Sequence, residues 1–357
     1  MRDDSLQIDL WHLDIPLIPP IHMPKGPVKA TYLLLAIMRD KNGLRGIGYS
    51  SFRRATDMDA AAVCARNLVT AIGSDLPSML NVERIEDAIH PASAAGKAAA
   101  NALSLAAWDL AGKRAGVSCA DLWGRPAGRD ALDCYASALW LDKSADELVI
   151  EAKQHFDNNY RYVKMRVNRS IPENLKRIAA VQTVYNLPQS IALETGFDWT
   201  TDIANDFIKQ APPNLLWIED PAESYDKMHK IEKNPKYPIA AGEKCTSARE
   251  LLDLYTAGGI SNLIIDVQYI GGPVRFLEIA RALSAAGATV GGHRFSHYST
   301  HLLATLPRSL PIEMLDWTNP VFAPLPSPNA SGQLPVEGPG FRISLNEDLI
   351  QRHGIKA

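Results

Sequence analysis

After about residue 130 the chain repeats one pattern: a short apolar run that ends on a charged residue. In Leu215-Leu-Trp-Ile-Glu-Asp-Pro221 a period of two puts Trp217 and Glu219 on one face and Leu216 and Ile218 on the other, and Pro221 stops the strand. Lys164 and Arg166 close the run from Tyr160, Glu194 the run from Ser190, and Glu243 the run from Tyr237. Asp266 follows Leu263-Ile-Ile, His293 follows Thr289-Val-Gly-Gly, and Glu313 follows Leu310-Pro-Ile. With the run through Tyr135 this predicts eight strands, each but the last followed by a helix-like segment. Two helix starts carry capping boxes, Ser144-Ala-Asp-Glu147 and Ser247-Ala-Arg-Glu250. Such alternation requires a parallel sheet, and eight units close a (β/α)8 TIM-type barrel. The rival open, doubly wound sheet calls for a Gly-rich loop after its first strand, and the sequence has none there.

The first part of the chain is patterned differently. Strands are expected over residues 6–13, 28–38 and 44–52, the last two joined by a hairpin at Asn42-Gly43, where both residues tolerate positive φ. Between the first two strands, five prolines from Pro16 to Pro27 predict a stiff surface loop, either a connector or a lid over a site. Helices are expected from Asp57 to Ile72 and from Ala92 to Gly116, the second with Leu103, Ala106, Ala107 and Leu110 at helix spacing. Residues 1–128 therefore read as an α+β capping domain, with a boundary at Gly124-Arg-Pro-Ala-Gly-Arg129. Residues 129–317 read as the barrel, and 318–357 as a Pro- and Gly-rich return to the first unit.

Composition narrows the function classes. Apolar residues make up 46% and charged residues 22% of 357, ordinary globular values, and a net charge of −3 offers no basic surface for nucleic acid or an anionic membrane. Cys64, Cys119, Cys134 and Cys245 are scattered, so neither a zinc site nor a disulfide framework is indicated. Met1-Arg-Asp-Asp-Ser lacks a signal-peptide core and no long apolar run follows, so a cytoplasmic protein is expected, as a homo-oligomer.

In a barrel the apolar face of each strand meets the helices, so Lys164 and Arg166 turn inward, as do Glu194, Glu219, Glu243, Asp266 and Glu313. Five carboxylates against two fixed cations is an excess that a buried site does not sustain alone. A divalent cation resolves it, and all-oxygen ligands favour Mg²⁺ over zinc, with Mn²⁺ also admitted. Glu194, Glu219 and Glu243, on consecutive strands, are the expected ligands.

These segments, together with Ala106-Ala-Trp-Asp-Leu-Ala-Gly-Lys113, Trp217-Ile-Glu-Asp-Pro221, Pro238-Ile-Ala-Ala-Gly-Glu243, Gly271-Gly272 and Gly292-His293, give a chain that resembles the enolase superfamily, in its mandelate racemase branch. The resemblance spans nearly the full length. It implies Mg²⁺-assisted removal of the proton α to a substrate carboxylate. By position it implies Glu194, Glu219 and Glu243 as metal ligands, Lys164 and Glu313 at the substrate carboxylate, and His293 as base, oriented by Asp266. Two positions depart from the pattern. Glu194 stands where Asp is usual, about 1.5 Å longer in reach, and is followed by Thr195-Gly196 where Ala-Asn is common. Arg166 stands where racemases carry a second lysine, and arginine is a poor base. A one-base reaction is thus expected: His293 takes the α-proton and then, as an acid, assists loss of a β-hydroxyl, the dehydration of a sugar acid.

The alternatives are a one-base epimerase or lactone cycloisomerase on the same intermediate, and a non-catalytic carboxylate binder, which Glu194-Thr-Gly leaves open. His293, His297 and His301 recur every four residues, as a helical metal stripe would, but the last two fall on a helix that His293 precedes, and they read as packing residues or as supports behind the site. Cys245 reads as a small buried residue, Trp199, Trp217 and Trp317 as core. His22, Lys25, Arg53 and Arg54 read as solvated loop residues or as groups reaching a polyhydroxy acid.

Overall fold

A computed structural model describes residues 6–23, 26–72, 93–213, 215–233, 237–323 and 325–357. The opening unit is an antiparallel sheet of β1 (Gln7–Met23), β2 (Gly26–Arg39) and β3 (Arg45–Phe52), packed on α1 (Ala55–Ile72) and α2 (Ala94–Ala115). The hairpin connection runs from residue 40 to 44, and of the Asn-Gly pair Gly43 is left-handed, with φ of +81°, while Asn42 is not. Helix α2 begins with Ser93 accepting from the Gly96 N–H and ends with Gly116 in the left-handed conformation. Gly46 and Gly48 let β3 lie directly on α2, since a Cβ at either would overlap the carbonyl oxygens of Ala106 and Ala102. Lys25 and Ala92 lie outside the described residues.

The proline-rich segment corrects the expected loop. Residues up to Met23 extend β1, pairing Pro16 with Ala30 and Ile21 with Val28 across an irregular register. Among the described residues β2 alone flanks this part of β1, β13 (Gly354–Lys356) being paired farther back at Trp11 to Leu13, and such an edge is where prolines are tolerated in a sheet. Near the end of β1, His22 meets Asp142 of the second unit at 3.1 Å.

Eight parallel strands form the barrel: β4 (Ala131–Ser137), β5 (Tyr162–Arg166), β6 (Ile191–Glu194), β7 (Trp217–Glu219), β8 (Ile239–Ala241), β9 (Asn262–Ile265), β10 (Thr289–Gly292) and β11 (Ile312–Met314). β11 pairs with β4, and the Leu310 N–H donates to the Val290 carbonyl at 2.9 Å, linking β10 to the segment entering β11. The period-two reading holds. Val163, Met165, Leu193 and Ile218 join the apolar layer under the helices, while Tyr135, Ala192, Trp217, Ala240 and Ile264 fill the barrel interior.

The outer helices are α4 (Ala145–Asp157), α5 (Ile171–Gln182), α6 (Thr201–Gln210), α7 (Ala248–Thr256), α9 (Pro273–Ala285) and α10 (Ser296–Ala304), with short turns α3 (Cys119–Leu122) and α8 (Val267–Ile270). Among the described residues a 3-10 turn, Tyr225–Lys230, stands in place of a helix after β7, and another, Asn319–Val321, follows β11. The chain then pairs β12 (Gln333–Pro335) with β4, forms α11 (Glu347–His353) and adds β13 to the first sheet. No helix among the described residues is long and apolar enough to cross a membrane.

Candidate active site

The charged strand tips gather at one mouth, beneath the first unit, around a cavity of about 930 Å³. Lys164, Arg166, Glu194, Glu243, His293, Arg294 and Glu313 line it from the barrel, and Ser51, Arg53, Arg54 and Lys97 from the capping sheet and helices. Trp317, expected in the core, lines this cavity and packs against Trp140 at 5.8 Å. Trp199 and Trp217 are buried as expected.

Lys164 occupies the centre. Its Nζ lies 2.8 Å from Glu219, 2.9 Å from Glu313 and 3.2 Å from Glu194, and the residue is 1% exposed. Burial opposes its charge, but Glu219 and Glu313 outweigh burial and hold its pKa well above the ordinary lysine value. Burial, with Glu194 next to it, pushes Glu219 well above the usual carboxylate range. Glu194 goes the other way, to about 2, because Lys164 and Arg166 overcome its burial. Glu313 is likewise held down, burial being outweighed by Lys164 and His293. Both Glu313 oxygens already accept, one from Lys164 and the other from the Arg294 backbone N–H at 2.8 Å.

The acidic group fit to hold a divalent cation differs by one residue from the expected set. Glu194 and Glu243 meet Asp220, with one oxygen of each within 4.8 Å of the others, while Glu219 lies beside Glu194. Glu219 instead gives one oxygen to Lys164 and the other to the Trp217 indole N–H at 2.9 Å. Strict alternation sends Asp220 toward the helices, but its backbone is left-handed, with φ of +49°, and this turns the side chain back to the mouth. Both Asp220 oxygens are buried with no hydrogen-bond partner. Burial, Glu243 and Glu194 push its pKa well up. Orphaned, crowded carboxylate oxygens of this kind are the donor set of a hard cation.

Across the mouth His293 Nδ1 lies 2.8 Å from Asp266, and its Nε2 lies 3.2 Å from Glu243. Asp266 is fully buried yet held below the ordinary carboxylate range, since Arg294 and His293 overcome burial. Arg166 is stacked over Trp140 at 4.4 Å, and one guanidinium nitrogen donates to Ser137 at 3.2 Å. Sequence reasoning passed over Asp220 and Arg294. The acid after Glu219 and the base after His293 were the available signals, each on the outward phase of its strand.

An (α+β)-capped (β/α)8 barrel with a lysine, a His-Asp dyad and a three-acid cradle at one mouth defines the class. The chain belongs to the mandelate racemase/muconate lactonizing enzyme family of the enolase superfamily: residues 7–124 match that family's N-terminal domain and 147–349 the enolase C-terminal domain-like family. It is 26% identical over 326 residues to an L-talarate/galactarate dehydratase of Salmonella typhimurium, covering 86% of this chain and 80% of that one. It is also 26% identical to a 3,6-anhydro-alpha-L-galactonate cycloisomerase of Streptomyces coelicolor, covering 85% and 86%. The L-talarate dehydratase of Polaromonas sp. JS666, solved with Mg and L-glucarate, superposes with a TM-score of 0.86 at 26% identity over 99% of both chains.

Proposed function

We propose that this protein is a Mg²⁺-dependent sugar-acid dehydratase, with Glu194, Asp220 and Glu243 holding the ion. The observation that carries the reading is the His293–Asp266 dyad, with Nε2 turned to the mouth and only an arginine, Arg166, three strands away around the barrel where a second base would stand. Bound Mg²⁺ supplies positive charge at the substrate carboxylate, which lowers the cost of forming a dianion.

Asp266 accepts the Nδ1 proton and so presents Nε2 as the acceptor. Nε2 takes the α-proton, and the C–H electron pair moves into the carboxylate. Lys164 stands ready to face the charge that develops there, already ionised by its carboxylate neighbours. The pair then returns to form a carbon-carbon double bond as the β-hydroxyl leaves, taking the proton from His293 to depart as water. The enol so formed tautomerises to a 2-keto acid. Arg166, an arginine and so a poor base, contributes charge and hydrogen bonds.

The test is incubation with Mg²⁺ and a panel that includes galactarate, L-talarate and L-glucarate, with 2-keto product read by semicarbazide. His293→Asn abolishes both product and α-proton exchange in D₂O. Exchange without keto product would move the protein to the epimerases, and lactone formation or opening without it to the cycloisomerases, the reading that the Streptomyces relative favours.

A further inference from the structure

Arg294 follows the proposed base directly, in a left-handed conformation with φ of +53°. Asp266 Oδ2 accepts three N–H groups: Nδ1 of His293 at 2.8 Å, and Nε and Nη2 of Arg294 at 3.0 and 2.7 Å. Asp266 Oδ1 accepts the backbone N–H groups of Gln268 and Tyr269 at 2.9 and 3.1 Å. The lone-pair directions of the carboxylate are then filled, and it cannot turn without breaking bonds at both oxygens. The remaining Arg294 nitrogen, Nη1, leaves the barrel and donates to the Ser51 hydroxyl of β3 at 2.9 Å. Gln268 secures the same residue, accepting the Ser51 N–H at 2.9 Å and donating to its carbonyl at 3.2 Å. Every guanidinium nitrogen is thereby engaged. The backbone N–H of Arg294 also donates to Glu313. A non-glycine residue stays left-handed only where such bonds over-determine it.

We propose that Arg294 is a positioning residue that makes the orientation of the His293 ring conditional on the seating of the capping sheet at Ser51. The guanidinium spans the two units: anchored on Ser51, it fixes the Asp266 carboxylate, and the carboxylate fixes the Nδ1-protonated ring. If the sheet lifts, Arg294 loses its anchor and Oδ2 of Asp266 loses the firm hold of two of its three donors, so the ring is less tightly oriented. The coupling stands on geometry between the units and holds whichever substrate is processed.

The experiment reads the imidazole directly. Protein labelled with ¹⁵N-histidine, with Mg²⁺ present, gives the His293 ring pattern in long-range ¹H–¹⁵N correlation, assigned by its disappearance in His293→Asn. The wild type shows one set of His293 ring signals. Arg294→Met gives mixed or broadened ring signals, Arg294→Lys restores them in part, and Ser51→Ala moves them in the same direction by less. A folded Arg294→Met with the wild-type ring pattern overturns the proposal. If that variant does not fold, an unchanged pattern in Ser51→Ala overturns it. Where turnover is found, Arg294→Met lowers kcat about 10- to 100-fold, as loss of an orienting partner does, with KM unchanged; a raised KM at constant kcat argues against positioning. Absence of any keto product would sink the dehydratase reading and leave the ring result standing.

Discussion

Lys164 Nζ stands 2.8 Å from Glu219 Oε1, both side chains sealed from solvent at the centre of the barrel mouth. Glu194 and Glu313 share the same ammonium, so the three acids are tied to one buried side chain. Removing one partner of a buried ionic network costs about 3–5 kcal/mol because the charges left behind are uncompensated. Lys164→Met is therefore expected to lower unfolding stability by about that much at pH 7 in EDTA, read by urea denaturation. Adding Glu219→Gln recovers part of the loss. A single variant as stable as the wild type would mean the acids do not depend on Lys164.

The same crowding makes the benefit of Mg²⁺ depend on pH. Asp220 and Glu219 have folded-state pKa values raised by burial and neighbouring acids. Their contribution to stability is complete below the ordinary carboxylate value of about 4 and is lost as pH rises through the raised values. Glu194, lowered to about 2, has the opposite sign: its contribution is present above the ordinary value and is lost as pH falls toward 2. A cation needs ionised ligands and relieves the repulsion that grows with pH. The rise in Tm on adding Mg²⁺ is expected to be larger at pH 8 than at pH 5. Equal rises at both values would contradict the raised Asp220.

The eight strands were legible because inward and outward positions alternate with period two, and both the interior and the helix layer select for it; Trp217 and Ile218 show the two sides of the rule. The charged tips were legible for the same reason: Lys164, Arg166, Glu194, Glu243, His293 and Glu313 all line the cavity. Asp220 was not, because it lies one residue past the strand, where a left-handed turn reverses the phase. Arg294 escaped for the same cause, with φ of +53°. The strand character of residues 16–23 was misread because nothing local shows that β2 alone, among the described residues, would pair with β1 there. The bonds from Ser51 to Gln268 and Arg294 join segments more than two hundred residues apart, beyond the reach of any local pattern.

His297 and His301 pack inside the barrel wall on α10, His301 edge-on to Phe341 at 5.2 Å. Burial lowers them to about 4 and about 3 from 6.5. A depressed folded pKa gives stability that is present above the unfolded value of about 6.5 and is lost as pH falls below it. Each ring costs about 2 kcal/mol between pH 7 and pH 5. The urea midpoint should fall over that interval, and fall less in His297→Gln/His301→Gln, whatever its stability at pH 7. An identical slope in the double variant would place the acid sensitivity elsewhere.

Which acid of the Glu219-Asp220 pair holds the ion decides how the mouth is organised. Glu219 has both oxygens engaged, by Lys164 and by the Trp217 indole, whereas Asp220 has neither. An oxygen that must first give up a buried ammonium is a poorer ligand than one with nothing to give up, because the broken ion pair is subtracted from the binding energy. Asp220→Asn keeps the size and a residue type that tolerates the left-handed backbone at φ of +49°, so the fold survives the change. It removes the charge. Mn²⁺ binding followed by electron paramagnetic resonance should weaken by at least about tenfold in Asp220→Asn, the lower end of what altered metal surroundings produce, and change little in Glu219→Gln. The reverse order would return Glu219 to the ligand set and leave Asp220 as the residue that shapes the turn.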